Sequence, residues 1–279
     1  MDNIFIKACK EDKLEDAKII YNKYKPNIHA NNDEAFIDVC CSGKLEVAKW
    51  LYSLEDKSNI YENNTAFLYT CCNGHINMAQ WLYSLEDKLN IHADDDYAFR
   101  NACYNGHINI AQWLYSLEDK PNIHAKNDFA FRKACDRGYI DIAQWLYSLD
   151  DKINIHAEND EALRYACSSG YINIVQWLYG LEDKPNIHAN NDEAFINACY
   201  NGHIDIAQWL YGLEDKPNIR AKNDEAFIEA CNKGYTNIAR WLYSLCDDFN
   251  IDYCIKIENK KKALKYYHFV HSIFYFQVV

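Results

Sequence analysis

Apolar residues recur along this chain in a pattern with a fixed interval. The seven tryptophans follow one another at intervals of 31 or 32 residues, and the residues around each keep nearly the same order. Residues 194–199 place apolar or small side chains at i, i+1, i+4 and i+5, which is the stripe of a short helix. A fixed interval of this length is typical of stacked repeats rather than of one globular core.

Each repeat is predicted to contain two helices, a tight turn between them and a loop after them. The first helix of one repeat is followed by Asn201-Gly202, where glycine can take the positive φ that ends a helix. A second helix is predicted from about 204 to 213, and a loop rich in Asn and Asp follows it. Asp192 or a neighbour is expected to cap the first helix, because a carboxylate accepts hydrogen bonds from free N–H groups.

The N-terminal residues follow the same pattern, with Ile19 at the tryptophan position, so we count eight repeats. We predict a repeat array over residues 1–250, in which about residues 1–30 form an N-terminal capping repeat and seven tryptophan-containing repeats follow. One residue is missing between 59 and 67, and we place this deletion in a loop. Residues 251–279 are predicted to form an irregular C-terminal capping segment, because an end repeat has one face in water.

The repeat resembles the ankyrin repeat, which has a period near 33 residues, two short antiparallel helices and a projecting loop. The matching residues in one repeat are Ala198-Cys199 in the first helix, Gly202-His203 at the turn and Trp209-Leu210-Tyr211 in the second helix. The chain departs from the family where ankyrin repeats carry T-P-L-H, since segments such as Asp33-Glu34-Ala35-Phe36 stand there. This variant is similar to the ankyrin arrays of large DNA viruses of amoebae (mimivirus-like), whose AT-rich coding also favours Asn, Ile, Lys and Tyr.

The resemblance implies an all-α, ankyrin-type solenoid that acts as a protein–protein interaction scaffold or adaptor, with a role in virus–host interaction. A structural or assembly role, as in a virion-associated component, is the alternative. No phosphate-binding glycine motif occurs, and nearly every candidate acid, base or nucleophile recurs at the repeat interval. We therefore expect no enzymatic activity and no cofactor, because catalysis needs a set of groups that converge in one cleft.

The net charge of −12 and the pI of about 5.3 argue against nucleic acid as a partner, because the field of the chain repels phosphates. The N-terminal residues lack the apolar stretch of a secretory signal, and no segment has the 18 or so apolar residues that span a bilayer. We expect an intracellular, cytoplasmic monomer, in the host cytoplasm if the protein is viral, that is not secreted.

Most of the cysteines belong to the repeat and are interpreted as small buried residues with free thiols. Neighbouring helices lie about 8–10 Å apart, whereas a disulfide needs Cα atoms within about 7 Å. Eight of the 12 cysteines stand at one repeat position: Cys9, Cys40, Cys71, Cys103, Cys135, Cys167, Cys199 and Cys231. A disulfide framework is therefore not expected.

Histidines also recur, in two series. One series follows the turn glycine, as at His203, and is interpreted as local polar contacts. The other lies near the loop tips and is interpreted as copied surface chemistry, because positions about 10 Å apart cannot share one metal ion. Its members are His29, His92, His124, His156 and His188.

One further set of possible metal ligands lies outside the repeat positions: Cys246, Cys254, His268 and His271. The gap between the cysteines is longer, and the gap between the histidines shorter, than zinc fingers use. An ordinary capping helix is therefore favoured over a metal site.

Positions that differ between otherwise similar repeats indicate where a partner would bind. They lie on the first helix and the loop base, which face the concave side of such an array. Aromatic residues and arginine are enriched at interface hot spots, and the fourth to sixth repeats carry them at these positions. The candidate residues are Tyr97, Arg100, Tyr104, Phe129, Arg132, Lys133, Arg137, Arg164 and Tyr165. A partner should present an acidic or amide-rich surface to Arg100, Arg132 and Arg164; the alternative is sequence drift on a solvated face.

The chain leaves the repeat pattern after Asn250. Lys260, Lys261 and Lys262 precede a largely apolar and aromatic segment, residues 263–279. Three interpretations compete: a helix that caps the last repeat, a membrane-surface anchor and a segment that binds a partner. The cap is favoured, because the outer face of the eighth repeat must be covered, and we expect no membrane partner.

Overall fold

The computed structural model describes residues 1–54, 65–85, 89–149, 152–246 and 249, and these residues form sixteen α-helices in eight consecutive pairs. The helices are α1 (Asp2–Lys10), α2 (Leu14–Tyr24), α3 (Ala30–Cys41), α4 (Leu45–Tyr52), α5 (Thr65–Cys72), α6 (Ile76–Ser84), α7 (Ala93–Tyr104), α8 (Ile108–Tyr115), α9 (Ala125–Arg137), α10 (Ile140–Tyr147), α11 (Ala157–Ser169), α12 (Ile172–Tyr179), α13 (Ala189–Asn201), α14 (Ile204–Tyr211), α15 (Ala221–Lys233) and α16 (Thr236–Leu245). The prediction of an all-α chain of paired short helices is confirmed.

The helix pairs belong to two compact units. The first unit contains Met1–Ala134 and Asp141–Ile153, and the second contains Cys135–Ile140 and the described residues from Asn154 onward. In the first unit the first helices of successive pairs pack side by side, α1 on α3, α3 on α5 and α5 on α7. In the second unit α11 packs on α13 and α13 on α15 in the same way.

The turn inside each pair forms where the sequence predicts it. Gly202 has φ of 88° and follows the last residue of α13, and α14 begins at Ile204. Only the end of the second helix differs, because α14 ends at Tyr211 rather than near residue 213.

Glycine is also required at this turn because a ring from the next repeat lies against it. A Cβ added at Gly170 would lie 2.5 Å from Cε1 of His203, and one added at Gly202 would lie 2.7 Å from Cε1 of Tyr235. His203 also donates a hydrogen bond from Nε2 to the Ser168 carbonyl at 3.1 Å. The histidine after the turn thus packs between repeats as well as making a polar contact, which explains why tyrosine can replace it.

Three successive residues with positive φ precede the regular part of six of the first helices: α3, α7, α9, α11, α13 and α15. In α13 they are Asn190, Asn191 and Asp192, with φ of 54°, 59° and 60°. Asn and Asp tolerate this left-handed conformation better than other residues with a side chain. The same run occurs at 31–33, 94–96, 126–128, 158–160 and 222–224.

The carboxylate of Asp192 does not act as the predicted helix cap. It accepts a hydrogen bond from Nδ1 of His188 at 2.6 Å, across the left-handed run. Asp192 has φ of 60°, whereas a capping residue has extended backbone angles, which explains why the side chain turns back to the preceding loop.

The core consists of repeated columns of apolar side chains. Ala198 and Cys199 are wholly buried, as is Phe195 of the same helix. The eight cysteines of the repeat position are all buried free thiols, as the sequence predicts. The predicted deletion between 59 and 67 and the predicted capping segment at 251–279 lie wholly or mostly outside the described residues.

Candidate interaction surface

The predicted partner-binding residues lie on three first helices, divided between the two units. The first unit holds six of them, on α7 and on the part of α9 before residue 135: Tyr97, Arg100, Tyr104, Phe129, Arg132 and Lys133. The second unit holds Arg137, Arg164 and Tyr165.

Three of the residues in the first unit form a cluster around Phe129. Its ring centroid lies 6.4 Å from that of Tyr104, with the planes inclined at 33°. The guanidinium carbon of Arg100 lies 5.1 Å from the same centroid, which is within the range of a cation–π interaction. Phe129 and Tyr104 are only half-buried, so this cluster reaches the surface of the first helices.

Tyr69 extends this aromatic surface toward the preceding repeat, and our sequence interpretation missed it. Its side chain is 47% exposed on α5. Burial raises the pKa of the half-buried Tyr97, and Cys72 and Tyr69 contribute to the shift, which places them close to Tyr97. Its position in the repeat could have indicated it, since Tyr69 stands two residues after its repeat's phenylalanine, as the predicted residue Lys133 does.

Three of the four predicted arginines, Arg100, Arg132 and Arg164, are nearly buried, and each binds the left-handed turn of its own repeat. Arg100 is 8% exposed and donates from Nε to the Asp95 carbonyl at 2.7 Å and from Nη2 to the Asp94 carbonyl at 2.8 Å. Arg132 and Arg164 make the equivalent bonds at 2.7–2.9 Å and are 6% and 7% exposed. Each arginine therefore holds carbonyl groups that a regular helix would have paired.

The outer edge of the guanidinium binds a carboxylate in the second unit. Nη1 of Arg164 lies 2.9 Å from Oε2 of Glu193, which belongs to the next repeat. The guanidinium carbon also lies 5.8 Å from the ring centroid of Tyr165. The pKa of Glu193 is lowered: burial raises it, but the hydrogen bond from Asn190 and the charge of Arg164 outweigh that effect.

The histidines near the loop tips are paired with aspartates. Nδ1 of His92 lies 2.6 Å from Oδ1 of Asp96, and Nε2 lies 3.1 Å from Oδ1 of Asp119 in the following loop. Burial lowers the pKa of His92, but the hydrogen bonds and charges of the two carboxylates outweigh it, so the pKa is raised. His156 and His188 have two carboxylate partners in the same way, with pKa values also raised. These histidines thus join neighbouring loops.

The cysteines of the repeat position are expected to be unreactive. Burial raises the pKa of the Cys9 thiol to about 12 and those of Cys40 and Cys71 well above the usual value. Reactive cysteines have a lowered pKa, so these thiols pack rather than react.

Only one of the four possible metal ligands at the C-terminal end belongs to the described residues. Cys246 is half-buried directly after α16, whereas Cys254, His268 and His271 lie outside the described residues. Among the residues that the structure does describe, no group of three His, Cys, Asp or Glu side chains could hold a metal ion. Within the same ranges, every helix is too short or too polar to cross a membrane.

A sequence comparison identifies the repeat. The family model described as Ankyrin repeats (3 copies) matches residues 99–191 and, in a second overlapping match, residues 163–257. Together the two matches span residues 99–257, which is more than half of the 279 residues. No curated protein gave a significant match.

Proposed function

The chain belongs to the ankyrin repeat family, and on that premise we propose that it is a non-enzymatic scaffold that binds a partner protein through its first helices. Ankyrin repeats generally mediate protein–protein interactions, and their arrays are typically not enzymes. The proposed binding surface in the first unit, here called the aromatic surface, consists of Tyr69, Tyr97, Tyr104 and Phe129.

The observation that carries this proposal is the exposure of large aromatic side chains on neighbouring first helices. Tyr69 is 47% exposed, and Tyr97, Tyr104 and Phe129 are half-buried. Several other repeats have small or polar residues at the same positions, such as Asn101 and Ser168, so the array does not need aromatic rings there. Aromatic residues of this kind supply much of the binding energy at protein interfaces.

The second unit differs at the position of Tyr97 and Phe129, although it has Tyr165 and Tyr200 at the positions of Tyr69 and Tyr104. Glu161 and Glu193 stand where the first unit has Tyr97 and Phe129, and Arg164 is paired with Glu193. The position of Tyr97 and Phe129 is therefore charged in this unit. We therefore place the partner-binding surface on the first unit and assign Arg137, Arg164 and Tyr165 no part in it.

The experiment exchanges the aromatic residues for those that the chain itself uses elsewhere. Tyr69→Asn, Tyr97→Glu and Tyr104→Ser copy Asn197, Glu193 and Ser168 of other repeats, so the helices should keep their packing. The wild-type chain and this triple variant would be crosslinked in cells, and the captured proteins identified by mass spectrometry. We expect a partner that crosslinks to α5 or α7 and is lost with the triple variant.

Tyr200→Ser is the matched control, because Tyr200 stands at the position of Tyr104 but in the second unit, where it is 37% exposed. It should retain the partner. Capture of the same proteins by the wild-type chain and the triple variant would contradict the proposal.

Further parts of the proposal follow from the sequence. We propose that residues 1–250 form the repeat array with a capping repeat at about 1–30, that residues 251–279 cover its end, and that the chain acts in the cytoplasm as a monomer. The resemblance to the arrays of large DNA viruses would make the partner a host protein. Crosslinks only to copies of the chain or to virion proteins would instead support an assembly role.

A further inference from the structure

Arg100 and Arg164 use one edge of the guanidinium in the same way. In both, Nε and Nη2 donate to two successive carbonyls of the left-handed run, at 2.7–2.8 Å. The guanidinium is planar, with five N–H donors in a fixed arrangement. The outer edge with Nη1 is therefore held in the same orientation relative to its own repeat.

The two arginines differ in what lies at that outer edge. Nη1 of Arg164 binds the carboxylate of Glu193 in the next repeat at 2.9 Å. The residue at the position of Glu193 in the repeat after Arg100 is Phe129, whose ring lies 5.1 Å from the guanidinium carbon. In the described ranges, no carboxylate forms an ion pair with Arg100.

The carboxylate of Asp95 does not supply this ion pair. Asp95 is close enough to Arg100 for their charges to interact, but its Oδ2 lies 2.6 Å from Nζ of Lys126. The bond between Arg100 and Asp95 uses the Asp95 backbone carbonyl instead. Arg100 is thus nearly buried, with 8% exposed, and among the described residues its outer edge has an aromatic ring beside it but no ion-pair partner.

A buried charge without a counterion is costly, and a carboxylate that reached it would form a charge-assisted hydrogen bond. In the second unit a carboxylate binds this outer edge while it is itself partly exposed, since Glu193 is 24% exposed while bound to Arg164. Phe129 and Tyr104 flank the position in the first unit and offer apolar surface to the residues next to that carboxylate.

We propose that Arg100, with Phe129 and Tyr104 beside it, binds the side-chain carboxylate of an Asp or Glu that the partner protein supplies. The partner's acidic residue takes the place that Glu193 occupies beside Arg164. This inference rests on the proposed function and adds the chemical class of the partner segment: one acidic residue with an apolar or aromatic neighbour.

The test uses a random dodecapeptide library displayed on phage and selected on the full chain. Enriched peptides would be synthesised, each with a second version in which Asp or Glu is replaced by Asn or Gln, and binding would be measured by calorimetry. We expect the enriched peptides to share an acidic residue, and its amide version to bind about tenfold more weakly or worse.

The decisive variant is Phe129→Glu, which gives Arg100 the internal carboxylate that Arg164 has. It should weaken the acidic peptides more than Phe129→Gln, which removes the ring without adding a charge, while leaving the circular dichroism spectrum unchanged, and Tyr200→Ser should bind like the wild-type chain. Peptides without an acidic residue, or acidic peptides that bind Phe129→Glu and the wild-type chain equally, would overturn the inference.

The outcomes separate this inference from the proposed function. Peptides that bind, lose affinity with Tyr69→Asn and ignore the amide replacement leave the aromatic surface in place and remove the carboxylate. A selection that enriches no peptide over the bare support would overturn both.

Discussion

The indole ring of Trp145 meets the phenol ring of Tyr115 edge to face, with centroids 5.9 Å apart and planes at 87°. Trp145 also lies 6.2 Å from Phe99, so it joins its own second helix to both helices of the preceding repeat. The same edge-to-face pair occurs at Tyr52–Trp81, Tyr83–Trp113, Tyr179–Trp209 and Tyr211–Trp241. The recurring tryptophan and tyrosine therefore serve to join neighbouring repeats.

Removal of one such pair should show a coupling between the two rings. Trp145→Ala is expected to lower the free energy of unfolding by about 3 kcal/mol or more, as for other large aromatic residues. A double-mutant cycle with Tyr115→Ala should give a coupling of about 0.5–1.5 kcal/mol, measured by urea unfolding. Tyr115→Phe keeps the ring and should retain the coupling; strictly additive effects of the two alanine variants would show that the rings do not interact.

The period, the helix pairs and the buried cysteines could be predicted because they depend on apolar spacing and on Gly-containing turns. Gly202 and the start of α14 are two examples. The left-handed run could not be predicted in this way, because apolar spacing carries no information on the sign of φ. The Asn-Asp pair was the available signal, and we interpreted Asp192 as a cap when its partner is His188.

The sequence predicted which repeat positions form the candidate site, but not the contacts that their side chains make. Comparison of the repeats identified the column of Arg100, but sequence does not show that its Nε and Nη2 are bound to backbone carbonyls. Tyr69 was missed because we examined the fourth to sixth repeats and it lies in the third. Its exposure became evident only once the side chains were placed.

Alanine substitutions at two turn glycines should distinguish the cost of backbone strain from the cost of steric crowding. Gly170 and Gly234 have similar φ, 85° and 79°, but a Cβ at Gly170 would meet the His203 ring at 2.5 Å. A Cβ at Gly234 would have no described atom within 4 Å. Gly234→Ala should therefore cost only the left-handed strain, about 1–2 kcal/mol.

Gly170→Ala should cost about 1–3 kcal/mol more than Gly234→Ala in urea unfolding, because the His203 ring must move. In a His203→Ala background that excess should disappear, since the ring is gone. Equal costs for the two glycine variants in the wild-type chain would mean that the ring does not restrict the turn.

The left-handed run should respond to side-chain shape at its middle residue. Asn191 has φ of 59° and is exposed, so its substitution changes few contacts. Asn191→Val should lower the free energy of unfolding by about 1–2 kcal/mol, because a β-branched side chain is strained there. Asn191→Gly should be neutral or slightly stabilising, and a result in which Val and Gly behave alike would argue against positive φ at this position.

The free energy of unfolding should fall as the pH rises above the ordinary histidine pKa, because the histidines that pair with aspartates of neighbouring loops lose their proton. His188 lies between the carboxylates of Asp192 and Asp215. Burial lowers its pKa, but the bonds and charges of these two aspartates outweigh that effect, so the folded pKa is raised.

A raised histidine pKa means that the folded state binds the proton more tightly than the unfolded state, whose histidine pKa is about 6.5. The stabilisation is therefore fully present below about pH 6.5 and is lost as the pH rises through the higher folded value. His92 and His156 should contribute in the same direction.

The chain itself supplies a control that does not titrate. Arg220 stands at the position of His188 in the last repeat and binds both carboxylate oxygens of Asp224, at 2.8 and 3.0 Å. His188→Arg should keep the pair charged, so the decrease in urea midpoint between about pH 6 and about pH 8 should be smaller than in the wild-type chain. His188→Gln should also reduce the pH dependence but lower stability at about pH 6, because Asp192 loses its cationic partner while it is only 6% exposed. A wild-type midpoint that stays constant or rises across this range would contradict the raised pKa.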